Sequence, residues 1–93
     1  MILVGIDIGK NQHTFSIIDK ETGEILSNPS LFNNNQEGFL LFIRRLTNYA
    51  KSELLIGMED TGHYHFALLK FLLDTRYTVA LINPATTNLT RKL

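Results

Sequence analysis

The sequence contains no cysteine and no surplus of either charge, and each absence excludes some kinds of chemistry or binding surface. Without cysteine there are no disulfides and no thiolate chemistry. Nine basic and nine acidic residues give a formal net charge of +0. This balance argues against a strongly basic nucleic-acid-binding surface acting alone. It still allows a catalytic domain that relies on another domain for its affinity for nucleic acid.

We also expect no membrane-spanning run, signal peptide or linker. No segment is long and apolar enough to cross a bilayer. The first charged residue is Asp7, inside an apolar run, and no basic segment precedes it. With 44% hydrophobic residues and no repeat or internal boundary, residues 1–93 are predicted to form one domain with a real core. We expect a cytoplasmic protein that is not associated with a membrane.

Three strand-forming segments open the sequence. They cover residues 2–8, 12–18 and 24–31 and are joined by short turns, which predicts antiparallel pairing. Gly23 can take the positive φ that the second turn needs. Pro29 predicts that the third strand lies at an edge of the sheet, because proline cannot donate a ladder hydrogen bond.

Helices and strands alternate in the rest of the sequence. The predicted elements are a helix capped by Asn34 or Asn35 and running to about Ala50, a strand over 53–58, a helix over 62–74 capped by Thr61, a strand over 77–82 and a helix from Pro84. The expected buried stripes are Phe39, Phe42, Ile43, Leu46 and Ala50 in the first helix, and Tyr64, Leu68, Phe71 and Leu72 in the second.

This order of elements is typical of the ribonuclease H-like fold, in the α/β class. We therefore expect a mixed five-stranded sheet in the order 3-2-1-4-5 with flanking helices. The first three strands would be antiparallel, and a right-handed crossover would place strand four parallel to strand one.

Two carboxylates meet in that arrangement. Asp7 lies near the carboxyl end of strand one and Glu59 at the carboxyl end of strand four, and ligand sites in open α/β sheets collect at those ends. Two close carboxylates favour a shared hard cation such as Mg²⁺. Two such ions can assist phosphoryl transfer. The alternatives are an Asp7 hydrogen-bonded to Thr14 or to amides of the Gly9 turn, and a Glu59 that favours the start of the next helix.

The secondary candidates for the site are the neighbouring residues Lys10, Asp60, Thr61 and Tyr64. Asp60 follows Glu59 but should point to the opposite face of the strand, so an exposed or first-turn carboxylate is the simpler interpretation. Lys10, just past the first strand, can neutralise a phosphate or lie in water. Tyr64 fits the core, or a supporting position beside the site, better than a catalytic role.

The three histidines suggest zinc, but their spacing does not support it. His63 and His65 are two residues apart, and such a pair does not share a helix face. No cysteine is present to assist them. We expect His13, His63 and His65 to be exposed or edge residues.

Three motifs together resemble a known family. They are Val-Gly-Ile-Asp-Ile-Gly-Lys (4–10), Glu-Asp-Thr-Gly-His-Tyr (59–64) and Leu-Ile-Asn-Pro-Ala (81–85). In this order and spacing they resemble the N-terminal, RuvC-like domain of DEDD transposases of the insertion-sequence-110 (IS110) family. The resemblance covers essentially the whole sequence.

The resemblance implies an acidic tetrad that binds Mg²⁺ for DNA strand cleavage and exchange. Asp7 matches its first acid and Glu59 its second. The other two aspartates of the family follow the Asn-Pro helix, beyond Leu93, so we expect these 93 residues alone to be inactive. The family also implies a C-terminal domain with a nucleophilic serine, a guiding bridge RNA and, in the full-length enzyme, a homo-oligomer.

Two alternatives belong to other functional classes. The N-terminal lobe of an actin-like sugar kinase or ATPase also opens with Gly-Ile-Asp-Ile-Gly. A phosphate-cradling turn there would need further Gly, Ser or Thr, whereas residues 10–12 are Lys-Asn-Gln. A non-catalytic RNA-binding or oligomerisation module would leave Asp7 and Glu59 dispensable.

Overall fold

The computed structural model describes residues 1–59 and 62–82, which form a five-stranded sheet with helices packed on it. The elements in chain order are β1 (Ile2–Asp7), β2 (Gln12–Asp19), β3 (Ile25–Asn33), α1 (Gln36–Leu46), a short 3₁₀ turn (Lys51–Glu53), β4 (Leu54–Glu59), α2 (Phe66–Asp74) and β5 (Val79–Ile82). The predicted order of elements is confirmed over this range. The helix predicted from Pro84 lies outside the described residues.

The sheet has the strand order β3-β2-β1-β4-β5. β1 pairs antiparallel with β2, and β2 antiparallel with β3, as expected for strands joined by short turns. β4 pairs in parallel with both β1 and β5, each time after a helical crossover. The predicted topology is therefore confirmed. Pro29 lies in β3, at the edge of the sheet, and Gly23 has a φ of +76° in the β2–β3 turn.

One face of the sheet carries the core. In β1, Val4 and Ile6 are buried whereas Gly5 and Asp7 are exposed, so successive side chains alternate between a covered and an open face. Both helices add their apolar side chains to the covered face, and Phe39 of α1 touches the ring of Phe71 in α2, with 5.4 Å between centroids. The buried apolar cluster consists of Val4, Ile6, Phe15, Ile17, Phe32, Phe39, Phe42, Leu46, Leu54, Ile56, Met58, Leu68, Leu72 and Tyr77.

The first helix is shorter than predicted. Asn35 is its N-cap, because the Asn35 Oδ1 accepts a hydrogen bond of 2.8 Å from the Gly38 N–H. The helix ends at Leu46 and not near Ala50, which is exposed. Thr47 turns its hydroxyl back onto the Arg44 carbonyl at 2.8 Å, a local bond that competes with helix continuation.

The second helix begins later than predicted. Residues 62–65 form turns, and α2 starts at Phe66. Gly62 has a φ of +67°, a left-handed conformation that no right-handed helix contains. Tyr64 consequently lies outside the helix and is 40% exposed, so its predicted place in the buried stripe is wrong. Leu68 and Leu72 are buried as predicted, and Thr61 lies outside the described residues.

The remaining differences are small. β4 covers Leu54–Glu59, and β5 covers Val79–Ile82, two residues shorter at its start than predicted. Within the described part of the chain, no helix is long and apolar enough to cross a membrane.

Candidate active site at the ends of two parallel strands

The sheet places Asp7 and Glu59 side by side. β1 and β4 are parallel neighbours in which Ile6 pairs with Met58, and the next residue of each strand is its last one, Asp7 or Glu59. Adjacent strands lie about 4.8 Å apart. Because Ile6 and Met58 point into the core, both carboxylates lie on the opposite, open face. The predicted juxtaposition of the two acids follows directly from this register.

Both carboxylates are exposed and unengaged by the described residues. Within residues 1–59 and 62–82, neither the Asp7 nor the Glu59 side chain makes a hydrogen bond or an ion pair. Asp7 is exposed because only one face of β1 is covered. Thr14 is the β2 residue paired with Asp7 in the sheet register, but its hydroxyl makes no hydrogen bond to the Asp7 carboxylate.

The alternative interpretation of Glu59 is not supported either. A helix dipole acts on charges within the first turn. The helix that follows Glu59 starts only at Phe66. Glu59 is therefore a strand-terminal acid and not part of a helix N-terminus.

An open groove of about 830 Å³ runs along the uncovered sheet face and includes both acids in its wall. Thr14 and Ser16 add hydroxyl groups from β2, while Leu3, Ile18 and Leu55 make much of the remaining wall apolar. The acids thus lie at the strand-end side of an otherwise largely uncharged groove.

A sequence profile places the protein in a family. The profile of the IS110-type DEDD transposases matches residues 4–93. The chain belongs to this transposase family. A search of curated protein sequences found no significant match.

Solved structures support the fold of this transposase domain. The fowlpox virus Holliday junction resolvase superposes with a TM-score of 0.55 at 19% identity, over 90% of this chain and 62% of that one. RuvC of Thermus thermophilus, solved with a Holliday junction substrate, gives a TM-score of 0.62 at 12% identity, over 91% of this chain and 67% of that one. The predicted RuvC-like, ribonuclease H-like fold is confirmed. The chain spans roughly two thirds of the length of these resolvases.

The chemistry of the two acids can be compared with that of a metal site. Two free carboxylates are the oxygen donors that Mg²⁺ prefers. Among the described residues, however, no group of three or more His, Cys, Asp or Glu side chains is arranged to hold a metal. The pair of Asp7 and Glu59 fits a hard cation but supplies only part of its coordination.

The secondary candidates differ in their positions. Lys10 is exposed in the β1–β2 turn, three residues after Asp7. Tyr64 is exposed in the turn after β4, and its ring contacts that of His63 at 4.8 Å between centroids. Asp60 and Thr61 lie outside the described residues.

The prediction for the histidines is wrong for two of the three. His13 is 0% exposed and His65 1% exposed, and only His63 lies at the surface. The signal for His13 was present in the sequence. It alternates with Phe15 and Ile17 along β2, and a period of two places all three on the same, covered face.

His13 supports the turn that follows Asp7. Its Nδ1 accepts a hydrogen bond of 3.1 Å from the Gly9 N–H. The turn is tight at Gly9, because a Cβ there would lie 2.2 Å from the Gln12 carbonyl oxygen. The His13 ring also meets Phe32 edge-on, with 5.3 Å between centroids. Sequence reasoning missed this residue as part of the site.

The burial of His13 predicts a pH-dependent stability. Burial lowers the pKa of His13 below its ordinary value of 6.5, and the nearby Asn34 side chain only partly opposes this. As the pH falls below 6.5, the unfolded chain takes up a proton that the native ring resists. The free energy of unfolding should therefore fall, by at most about 1.4 kcal/mol per pH unit from this group.

Urea unfolding between about pH 5 and 7.5 measures this slope. His13→Gln removes the titrating ring and should flatten the curve. His63→Gln, a change at the exposed histidine, should leave the curve as in the wild type. A curve that is equally steep in His13→Gln and in the wild type would assign the pH dependence to other groups.

Proposed function

We propose that this domain supplies the first two acids of a Mg²⁺-dependent site that cleaves and transfers DNA strands in an IS110-type transposase. The observation that carries the proposal is the β1–β4 register, which sets Asp7 and Glu59 side by side on the open face. Membership of the transposase family and the fold shared with Holliday junction resolvases support DNA as the substrate.

The exposure of the two acid side chains suits them to bind a cation. Asp7 and Glu59 are exposed and unbonded among the described residues, so both can accept a cation without first breaking a protein contact. Bound Mg²⁺ would stabilise negative charge on the attacking and leaving oxygens of a phosphodiester. Lys10, in the turn beside Asp7, is placed to neutralise a DNA phosphate.

The partners of the complete enzyme are also proposals. The family resemblance supports a guiding bridge RNA, a homo-oligomer and two further aspartates that complete the tetrad. Among the 93 residues, no acid follows Asp74 to match the two further aspartates of the family. The formal net charge of +0 agrees with DNA affinity that comes largely from other parts of the enzyme.

A Mg²⁺ titration of the 93-residue chain followed by NMR tests the proposal. We expect amide shifts confined to the ends of β1 and β4, with a dissociation constant of about 1 mM or weaker, because affinity for hard cations rises with the number of charged ligands. Asp7→Asn and Glu59→Gln should each remove the shifts. Micromolar affinity, or shifts that survive both substitutions, would contradict the proposal.

A further inference from the structure

One side chain links the two turns that follow the acid-bearing strands. The Asn34 Nδ2 donates a hydrogen bond of 3.0 Å to the Lys10 carbonyl and one of 3.3 Å to the Tyr64 carbonyl. Lys10 lies three residues after Asp7, and Tyr64 lies five residues after Glu59. The Asn34 amide group therefore bridges the exits of β1 and β4 from outside the sheet ladder.

The backbone of Asn34 strengthens the same link. Its N–H donates a hydrogen bond of 2.8 Å to the Asn11 carbonyl, in the turn that also contains Lys10. Asn34 follows the last residue of β3 and precedes Asn35, the N-cap of α1. The residue is thus fixed between a strand and a helix, and it can act as a rigid support for both turns.

His13 contacts the turn after β1 from the core side of the sheet. Its Nδ1 accepts the Gly9 N–H, so in the neutral ring the proton lies on Nε2. The His13 Nε2 and the Asn34 Oδ1 are both buried, and neither has a hydrogen-bond partner within the described residues. The Nε2–H is a donor and the Oδ1 an acceptor, so the two atoms are chemically complementary. The Asn34 side chain lies close enough to the His13 ring to influence its pKa.

We propose that His13 and Asn34 form a positioning pair that holds the turns after Asp7 and Glu59 in a fixed relation and thereby sets the separation of the two carboxylates. The inference rests on the proposed function only where it assigns a cation to the carboxylates. The pair touches neither acid; it acts through Gly9, Lys10 and Tyr64.

A purely space-filling role does not account for these contacts. The His13 ring lies edge-on against Phe32, where an apolar residue would avoid the desolvation of two ring nitrogens. Such desolvation is offset where the nitrogens are hydrogen-bonded. The Nδ1 atom bonds the Gly9 turn, and the buried Nε2 donor complements the buried Oδ1 acceptor of Asn34, so the polar atoms of His13 suit a connection between the turns.

Three variants of the 93-residue chain test the pair. His13→Phe keeps the ring volume and removes both polar contacts, His13→Asn keeps an acceptor for the Gly9 N–H, and Asn34→Ala removes the bridge. In His13→Phe, the Gly9 amide should exchange with solvent about 5- to 10-fold faster, the effect of losing one hydrogen bond. His13→Asn should restore most of the protection at Gly9.

The metal response separates positioning from general stability. In His13→Phe and Asn34→Ala we expect Mg²⁺ affinity at the β1 and β4 ends to fall about 10-fold, as when supporting residues of a metal site are removed. Leu46→Ala should lower stability without changing Mg²⁺ affinity, because Leu46 is buried at the end of α1 opposite to Asn35 and Asn34. His63→Phe is the control for loss of a histidine at an exposed position.

The outcomes distinguish this inference from the proposed function. If the wild-type chain shows no Mg²⁺ response at the β1 and β4 ends, the proposed function fails, while Gly9 exchange still decides whether the pair holds the turn. Nitrogen NMR of the wild type is a second test, because it reports which ring nitrogen of His13 carries the proton and does not require any variant to fold. A proton on the Nδ1 of His13, or unchanged Gly9 exchange in both His13→Phe and Asn34→Ala, would overturn the positioning pair.

Discussion

Asp7→Asn and Glu59→Gln should each reduce DNA strand cleavage at least about 100-fold in a transposase polypeptide that supplies all four acids. Each substitution removes one carboxylate charge from the proposed cation site while keeping the size of the side chain. Removing a residue that merely supports a metal ligand typically reduces affinity or activity 10- to 100-fold. The loss of a direct ligand should therefore lie at or beyond the upper end of that range. Cleavage of a labelled DNA that carries the ends of the element, with Mg²⁺ present, measures the effect.

The same substitutions should leave the fold intact. Both acids are exposed and bonded to no other described residue, so neither change breaks a native contact. We expect the free energy of unfolding to change by less than about 0.5 kcal/mol, as is usual for surface positions. Relief of the repulsion between the two carboxylates can even stabilise the variants slightly. Urea unfolding of each variant therefore separates a catalytic defect from a folding defect.

β4 itself provides the matched control. Glu53 immediately precedes β4 and Glu59 ends it, and both are exposed glutamates. Glu53→Gln makes the same chemical change at the opposite end of the strand and should leave cleavage as in the wild type. Full cleavage in both Asp7→Asn and Glu59→Gln would exclude the acid pair from catalysis. It would favour a non-catalytic RNA-binding or oligomerisation module.

The sheet and the acid pair could be predicted from the sequence because both depend on strong, local signals. Short turns force antiparallel pairing, and a strand–helix–strand unit forces a parallel neighbour through a right-handed crossover. Once β4 lies beside β1, the carboxyl ends of the two strands lie at the same edge of the sheet. The strand order therefore predicts that Asp7 and Glu59 are neighbours, and the β1–β4 register sets them side by side.

The start of α2 and the residues that support the site, His13 and Asn34, could not be predicted from such local signals. Gly62 and Tyr64 were assigned to a helix because the apolar spacing continues through them, but one residue with a positive φ ends the pattern. The Asn34 bridge depends on two turns that meet only in the folded chain. For His13 the alternation along β2 was readable, but its hydrogen bond to Gly9 depends on the shape of the turn.

Phe42→Ala should be the most destabilising single change considered, by about 3–5 kcal/mol. Phe42 is 1% exposed, and its ring stacks on Phe32 at 4.4 Å between centroids, with the planes 5° apart. It also meets Phe15 edge-on at 4.9 Å. The three rings come from α1, β3 and β2, so truncation of Phe42 leaves a cavity where the helix joins two strands. Thermal and urea unfolding measure the loss.

The neighbouring Leu41 provides the control, because it is 57% exposed on the same helix. Leu41→Ala should change stability by less than about 0.5 kcal/mol. Domains of this size are stable by only about 5–15 kcal/mol, so Phe42→Ala removes a large fraction of the total. Comparable losses in the two variants would mean that the aromatic cluster does not anchor α1. The N-cap Asn35 and the adjacent Asn34 would then need another anchor on the sheet.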